Sequence, residues 1–363
     1  MRSRLPQLLA VLVCVLMVVA TPAASAKKKQ DAGAGQAATT TTTTASAART
    51  PVRRFSFAAA GDHGANPGTA AALRLLNRSD ARFYLALGDL DYDETPSDRA
   101  WCRYVRDRLP RKGRRFPFQV LVGNHEQDGE RDGHISNFAR CLPDRMDSVD
   151  GPRSGYGAEY AFTYPRRNPL AKVIMISPNL TVDGVRHTYQ AGSPHRRWLA
   201  RQIRRARASG IRWVIVGMHY PCITTGNLHD CDAGTDILNF LVRRQVDLVL
   251  AGHNHIYERS KQLALNGASC RRIRRDQFDR DCVVPGWRDR VYRKDRGTVL
   301  VTAGSFGGRE QGADPDDSER RYFAKVDGNA KGFVRYVVRP GRIVGRFIAT
   351  GNSAADRFRI VRR

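Results

Sequence analysis

The sequence is poor in closely spaced cysteines, in acidic residues and in long apolar runs. Its cysteines never occur as Cys-x-x-Cys, which excludes the closely spaced thiolate cluster of many structural zinc sites. After residue 20, no apolar stretch is long enough to span a bilayer. RNP, zinc-finger and basic-zipper patterns are missing, so no specific nucleic-acid motif is present. No internal repeat is visible, and the length favours one large α/β domain.

The first 26 residues have the pattern of an export signal. Arg2 and Arg4 precede an apolar run from Leu8 to Ala20, and the small residues Ala24-Ser25-Ala26 form a cleavage site. We therefore expect residues 1–26 to be removed and the protein to be secreted or to lie in the cell envelope. Residues 27–50 are rich in lysine, alanine, glycine and threonine, and we expect a low-complexity linker there. The folded domain is expected over residues 51–363.

Six cysteines follow the signal, and an even number in an exported chain predicts three disulfides. The sequence permits many pairings. Pairing of neighbours is the simplest, and it gives Cys102–Cys141, Cys222–Cys231 and Cys270–Cys282.

The chain is strongly basic, with 61 lysines and arginines against 35 acidic residues and a formal net charge of +26. The charge is +24 without the two arginines of the signal. Such a charge favours association with an anionic polymer or a membrane surface. Because the arginines are spread along the chain, a solvated basic surface is the simpler interpretation. One basic stretch, residues 259–296, shows no regular pattern and is expected to be a loop.

Five apolar runs, each typical of a buried strand, end in loops that carry polar side chains. The runs are Arg54–Ala60, Phe83–Leu87, Phe118–Val122, Trp213–Gly217 and Val246–Leu250. The side chains at their ends are, in order, Asp62, then Asp89 with Tyr92, then Asn124, then His219, and finally His253 with His255. Because α/β folds place ligands at the carboxyl ends of parallel strands, we expect these seven residues to converge.

Carboxylate, amide, phenol and imidazole donors suit zinc, iron or manganese rather than the soft metals that prefer sulfur. Seven donors are too many for one tetrahedral ion. They are enough for two ions that share a bridging carboxylate and lie about 3.5–4 Å apart.

These motifs carry a family resemblance. The patterns are Asp-x-Gly at 62–64, Gly-Asp-x-x-Tyr at 88–92, Gly-Asn-His-Glu at 123–126, a strand-closing histidine at 219, and Gly-His-x-His at 252–255. In this order they resemble the calcineurin-type metallophosphoesterases. The purple acid phosphatases are the nearest branch, because Gly64 stands where most of the superfamily has a histidine ligand and Tyr92 supplies the missing donor.

The resemblance implies a four-layer α/β/β/α sandwich, with two mixed sheets flanked by helices and the site at the carboxyl edges of the strands. It assigns the first metal, Fe³⁺, to Asp62, Asp89, Tyr92 and His255. It assigns a second ion, iron, zinc or manganese, to Asp89 as the bridge together with Asn124, His219 and His253. A metal-bound hydroxide would then attack phosphorus in line with the leaving group.

The departing alkoxide also needs a proton donor. His125 lies beside Asn124 and is one candidate, and His229 resembles the histidine that the family uses on that loop. Four other histidines, His63, His134, His187 and His195, belong to no motif and are expected on the surface.

The resulting hypothesis is an exported phosphatase with phosphomonoester substrates. A phosphodiesterase or phospholipase that uses the same metals is the main alternative. A non-catalytic protein that binds polyanions is a more distant one.

Overall fold

The computed structural model describes residues 54–153, 155–228, 231–286, 289–351 and 355–362. The predicted signal peptide, the predicted linker and His229 lie outside the described residues. None of the helices described is both long and apolar enough to cross a bilayer.

Strands dominate the described chain. They are β1 (Phe55–Ala60), β2 (Tyr84–Ala86), β3 (Phe118–Gln119), β4 (Val149–Asp150), β5 (Tyr160–Tyr164), β6 (Ala171–Met175), β7 (Thr181–Val182), β8 (Val185–Arg186), β9 (Trp213–Gly217), β10 (Leu248–Ala251), β11 (Tyr257–Ser260), β12 (Val291–Arg293), β13 (Val299–Ala303), β14 (Phe323–Asp327), β15 (Gly332–Arg339), β16 (Arg342–Ala349) and β17 (Arg357–Val361). The α-helices are α1 (Pro67–Arg78), α2 (Asp98–Asp107), α3 (Ile135–Cys141), α4 (Pro194–Ala208) and α5 (Thr235–Arg243).

Two large mixed sheets form the centre of the fold. One has seven strands in the order β12-β17-β16-β15-β1-β2-β3, and the other has eight in the order β14-β11-β13-β10-β9-β6-β5-β4. Helix α1 packs on the first sheet at β15, α4 packs on the second at β6, and the sheets meet where β1 contacts β13. The four-layer α/β fold predicted from the sequence is confirmed.

The strands that end at the predicted site run parallel within each sheet. Strands β1, β2 and β3 are parallel in the first sheet, and β6, β9, β10 and β13 are parallel in the second. Strands β9, β10 and β13 are buried along their whole length. Their sequences are correspondingly almost all apolar, since helices or the other sheet cover both faces of a parallel sheet.

Local signals in the sequence explain where helix α4 begins and which face it buries. The Ser193 side chain accepts a hydrogen bond from the backbone N–H of Arg196, and Pro194 occupies the first turn, where its missing N–H costs nothing. Leu199 and Ile203 lie on the buried face. Most of the arginines of this helix lie on its other faces, so its outward surface is basic.

All three disulfides pair neighbouring cysteines, as predicted: Cys102–Cys141, Cys222–Cys231 and Cys270–Cys282. The first joins α2 to α3, neither of which the sequence analysis predicted.

The expectation of a patternless basic loop at residues 259–296 was wrong. This stretch contains the end of β11, a short 3₁₀ turn and all of β12. Its disulfide and the buried Ile273 give it a small core of its own, which the many charged residues around them conceal in the sequence.

A buried ion pair ties the two sheets together behind the site. Arg259 on β11 is 1% exposed, and Asp356, just before β17, is 3% exposed. The guanidinium donates from Nε to Asp356 Oδ2 at 2.7 Å and from Nη2 to Oδ1 at 3.1 Å. The Tyr257 hydroxyl donates to the same carboxylate at 2.7 Å. Asp356 therefore neutralises a cation that has little access to water.

We predict that Asp356→Ala lowers the free energy of unfolding by about 3–5 kcal/mol, because it leaves the Arg259 charge buried without this partner. Denaturant unfolding of both proteins measures the difference. Asp289→Ala is the matched control, since Asp289 contacts the same guanidinium at 3.2 Å but is half exposed. Its loss should cost less than about 1 kcal/mol. Equal losses in the two variants would contradict the prediction.

Candidate metal centre

The predicted ligands all lie at one edge of the two facing sheets. Asp62 follows β1, Asp89 and Tyr92 follow β2, His219 follows β9, and His253 and His255 follow β10. Asn124 begins a short 3₁₀ turn beyond β3. The structure brings all seven side chains together, from five different strand ends.

The first group of donors surrounds the Tyr92 hydroxyl. This oxygen lies 3.0 Å from Asp62 Oδ1, 3.1 Å from Asp89 Oδ2 and 2.9 Å from His255 Nε2. His255 Nε2 is also 3.3 Å from Asp62 Oδ1. Four potential ligand atoms therefore point at one small volume.

The second group surrounds His219. Its Nε2 lies 2.9 Å from Asn124 Oδ1 and 3.2 Å from Asp89 Oδ1. Ligand atoms of Asp89, His219 and His253 all lie within 4.8 Å of one another. Asp89 belongs to both groups and turns one carboxylate oxygen towards each. The groups contain the same residues as the two ligand sets implied by the family resemblance, and metal binding by them stays a prediction.

Backbone carbonyls orient two of the histidines. His219 Nδ1 lies 2.7 Å from the carbonyl oxygen of Leu87, and His255 Nδ1 lies 2.5 Å from that of Arg309. A carbonyl can only accept, so each Nδ1 carries a proton, and Nε2 is the ring nitrogen that faces the centre. This arrangement is usual for histidines that bind metals.

Glu126 holds two of the site loops together, a role that the sequence analysis missed. Its buried carboxylate accepts hydrogen bonds from the backbone N–H groups of Asp89 at 3.0 Å, Leu90 at 2.5 Å and Gly123 at 3.0 Å. It thus links the loop of the bridging carboxylate to the loop of Asn124. The available signal was the acidic residue that closes the Gly-Asn-His-Glu motif.

Four of the seven residues have left-handed backbone conformations. The φ angles are +63° at Asp62, +50° at Asp89, +59° at Tyr92 and +68° at His253. Residues other than glycine adopt this region rarely, and such strain concentrates at functional sites. The sharp turns aim the side chains inward as soon as each strand has ended.

Gly64 occupies the position where most of the superfamily has a histidine, and its backbone conformation is one that side chains rarely adopt. Its φ is +66°, and a Cβ would lie 2.5 Å from the Glu94 carboxylate. Tyr92 reaches the same donor group from the next strand end.

The electrostatics of the centre fit bound cations. Burial raises the pKa of Asp62 above its usual range. Burial would also raise the pKa of Asp89, but the neighbouring His219 outweighs it and lowers that pKa. Burial alone would lower the pKa of His219, but the Asp89 carboxylate raises it to about 9. Burial and His219 lower the pKa of His253 to about 3. Two buried carboxylates among nitrogen donors form a set that hard or borderline metal ions would neutralise.

His125 lies at the open side of the centre, with 34% of its side chain exposed. Its ring packs against Tyr92 with 4.6 Å between centroids, its Nε2 is 3.8 Å from Asp89 Oδ2, and its Nδ1 is hydrogen-bonded to Asp132. The structure therefore places this histidine beside the centre.

The loop of His229 also reaches the centre, although His229 itself is outside the described residues. Asp232, one residue after Cys231, has a carboxylate oxygen 3.9 Å from His253 Nε2. Tyr220, near the other end of the loop, packs against His253 with ring centroids 4.7 Å apart.

The expectation that the remaining histidines lie on the surface was wrong for three of the four. His63, His187 and His195 are buried, and His134 is partly exposed. His63 packs beneath the centre, with Nε2 2.9 Å from the Tyr84 hydroxyl and Nδ1 3.2 Å from the Asp89 carbonyl. Its position next to Asp62 was the signal that sequence reasoning passed over.

Part of the basic charge gathers in a separate cavity beside α2. This cavity of about 820 Å³ is lined by four arginines, Arg103, Arg106, Arg114 and Arg145. Burial and the charges of Arg145 and Arg114 lower the pKa of Arg106. Cations crowd one another here, which agrees with a general attraction for anions.

A family model described as calcineurin-like phosphoesterase matches residues 55–257. Purple acid phosphatase 21 of Arabidopsis thaliana is 29% identical over 59% of this chain and 47% of its own length. A second relative from that plant, Fe(3+)-Zn(2+) purple acid phosphatase 12, is 26% identical over 52% of this chain and 39% of its own length. The chain thus spans half or less of the length of these curated relatives.

Among solved structures, a purple acid phosphatase from yellow lupin (Lupinus luteus) seeds has a similar fold. Its TM-score is 0.63 at 13% identity, with 85% of this chain and 54% of the lupin chain covered. At this identity the similarity concerns the fold alone.

Proposed function

The chain belongs to the family of calcineurin-like phosphoesterases, and from that membership we propose that it is an exported acid phosphatase that hydrolyses phosphomonoesters with two metal ions. The observation that carries the proposal is the division of seven donors into two groups that share Asp89. Relatives named purple acid phosphatase support the monoesterase assignment.

Export is supported by two independent features. The first 26 residues have the composition of a cleaved signal, and the folded domain carries three disulfides. Disulfides persist mainly in oxidising compartments outside the cytosol.

We assign Asp62, Asp89, Tyr92 and His255 to Fe³⁺, and Asp89, Asn124, His219 and His253 to a divalent iron, zinc or manganese ion. When bound, the two ions neutralise the phosphate oxygens and activate a water molecule as the nucleophile. The name of one relative specifies iron and zinc, which supports this pair of metals. The carbonyls of Leu87 and Arg309 orient His219 and His255, so that the Nε2 atom of each would face the ions.

Two histidines are candidates for protonating the leaving group. His125 stands at the open side of the centre, held by Asp132. His229 lies on a loop whose described residues are firmly anchored. The Cys222–Cys231 disulfide closes this loop, and the N–H groups of Thr224 and Thr225 donate to Glu319 at 2.8 Å and Glu258 at 3.0 Å. We assign the proton transfer to His229, because the loop that carries it reaches His253.

The same two metals would also serve a phosphodiesterase or a phospholipase. Turnover of p-nitrophenyl phosphate and bis-p-nitrophenyl phosphate, measured side by side, separates the two functions. Faster hydrolysis of the diester would overturn the monoesterase assignment.

We predict that Asn124→Ala and His253→Ala each lower phosphatase turnover by about a hundredfold, the scale of a weakened metal site. Steady-state kinetics and metal content of the purified proteins measure the effect. His134→Ala removes a partly exposed histidine from another loop, and it should leave turnover unchanged. Near-normal turnover in both Asn124→Ala and His253→Ala would rule out the dinuclear mechanism.

We predict that Tyr92→Phe bleaches the iron-loaded protein while its fold is retained. A tyrosinate bound to Fe³⁺ gives a visible charge-transfer band, and phenylalanine cannot form this bond. Absorption spectra and circular dichroism test both parts. Tyr220→Phe is the control, because this tyrosine contacts His253 but lies outside the proposed iron ligands. A colourless iron-loaded wild type would place the protein in the wider superfamily.

We predict that His229→Ala slows hydrolysis of an alkyl phosphate by ~10²–10⁴-fold, the usual contribution of a general acid. Hydrolysis of p-nitrophenyl phosphate should hardly change, because p-nitrophenolate leaves without a proton. The comparison of the two substrates is the measurement. Equal effects on both would indicate a role in phosphate binding, and no effect on either would leave His125 as the acid.

A further inference from the structure

Glu159, His187 and His195 form a second group of potential metal ligands, which shares no residue with the proposed dinuclear centre. Glu159 immediately precedes β5, His187 immediately follows β8, and His195 lies in the first turn of α4. All three are buried, with exposures of 0%, 0% and 4%. One ligand atom from each lies within 4.8 Å of the other two.

The contacts within this group leave several polar atoms unsatisfied. Glu159 Oε2 lies 3.0 Å from His195 Nδ1 and accepts a hydrogen bond from the Tyr189 hydroxyl. Glu159 Oε1 and both ring nitrogens of His187 are buried and have no hydrogen-bond partner among the residues that the structure describes. The His187 ring instead packs on that of His195, with centroids 4.6 Å apart.

Such an arrangement is costly if nothing fills it. A buried polar group without a partner costs about 1–3 kcal/mol, and native structures contain few of them. Both ring nitrogens of His187 are therefore available to a ligand. A neutral imidazole offers a lone pair to a metal, as ligand binding requires.

We propose that Glu159, His187 and His195 bind a single Zn²⁺ ion. Two imidazoles and one carboxylate are a ligand set that zinc accepts, with a fourth position left for water. The carboxylate offsets half of the charge of the ion, and the ion gives Glu159 and His187 the partner that they lack.

This site would fasten α4 and the segment that follows β8 to the edge of the eight-stranded sheet. The backbone carbonyl of His187 accepts a hydrogen bond from the N–H of Asn179 at 2.8 Å. The Asn179 side chain in turn donates to the backbone carbonyl of Asp232 at 2.5 Å. A zinc ion on His187 would thus stabilise the segment against which the Cys222–Cys231 loop rests.

Metal analysis of the full-length chain tests the proposal. Protein loaded with Zn²⁺ and freed of excess metal by gel filtration is compared with His187→Gln and Glu159→Gln, treated identically. Each variant should bind one zinc ion fewer per chain than the wild type, and circular dichroism shows whether it is folded. Glu319→Gln is the matched control and should bind as much zinc as the wild type, because it removes a buried carboxylate that accepts a hydrogen bond from the Thr224 N–H elsewhere in the chain. Equal zinc content in the wild type and both folded variants would overturn the proposal and indicate that buried water occupies the group.

A direct measurement does not depend on the variants being folded. Crystals of the zinc-loaded wild type should show an anomalous difference peak at the zinc edge among the three side chains. Solvent density without an anomalous signal at this position would also overturn the proposal. The Asn124→Ala and His253→Ala variants should keep this peak, so the result is independent of the dinuclear centre.

Discussion

The two sheets bring their strand ends together only because backbone approaches backbone there. A Cβ on Gly61 would lie 3.1 Å from the Cα of Gly252, and the N–H of Gly61 donates across the sheets to Ala303 at 2.9 Å. The N–H of His253 then reaches Asp62 Oδ2 at 2.8 Å. A Cβ on Gly252 would lie 2.9 Å from the Leu87 carbonyl oxygen, so a side chain there would force backbone to shift between the sheets. The donors from the two sheets can converge only because the sheets lie this close together.

Hydrogen bonds from residues other than the proposed ligands fix the geometry of the centre. Groups outside the donor set hold several parts of the centre in place. The carbonyls of Leu87 and Arg309 orient two imidazoles, and the carboxylate of Glu126 joins two loops. The buried Arg259–Asp356 pair does the same at a larger scale, because it joins a strand of one sheet to the segment before a strand of the other. The positions of the side chains are therefore set by the protein itself, which is how precise sites are usually built.

The parts of the fold that the sequence predicts are those governed by local patterns. Continuous apolar runs identify β9 and β10, and the helical spacing of Leu199, Ile203 and Ala206 agrees with α4. The donors could be found because each stands within five residues after such a run. Neighbouring cysteines are paired as predicted. That prediction rested on choosing the simplest pairing and not on a physical signal in the sequence.

What the sequence did not predict depends on tertiary packing. Helix α2 buries only Trp101, Cys102 and Val105 among charged residues, too few to stand out as an apolar face. The burial of His187 and His195 has no local signature, since it arises only when distant strands and loops close over these residues. The role of Glu126 is likewise visible only when the two loops that it joins are seen side by side.

The left-handed backbone conformations at Asp62, Asp89, Tyr92 and His253 show that the loops themselves direct these side chains into the centre. Because the backbone sets the positions of the donors, the centre presents the same oxygen and nitrogen atoms to iron, zinc and manganese. Divalent ions compete for such donors by intrinsic affinity and by availability. On the proposed assignment, the identity of the divalent ion then reflects which metals are available where the chain folds. One unchanged sequence could acquire different redox and catalytic properties in hosts that differ only in their metal supply.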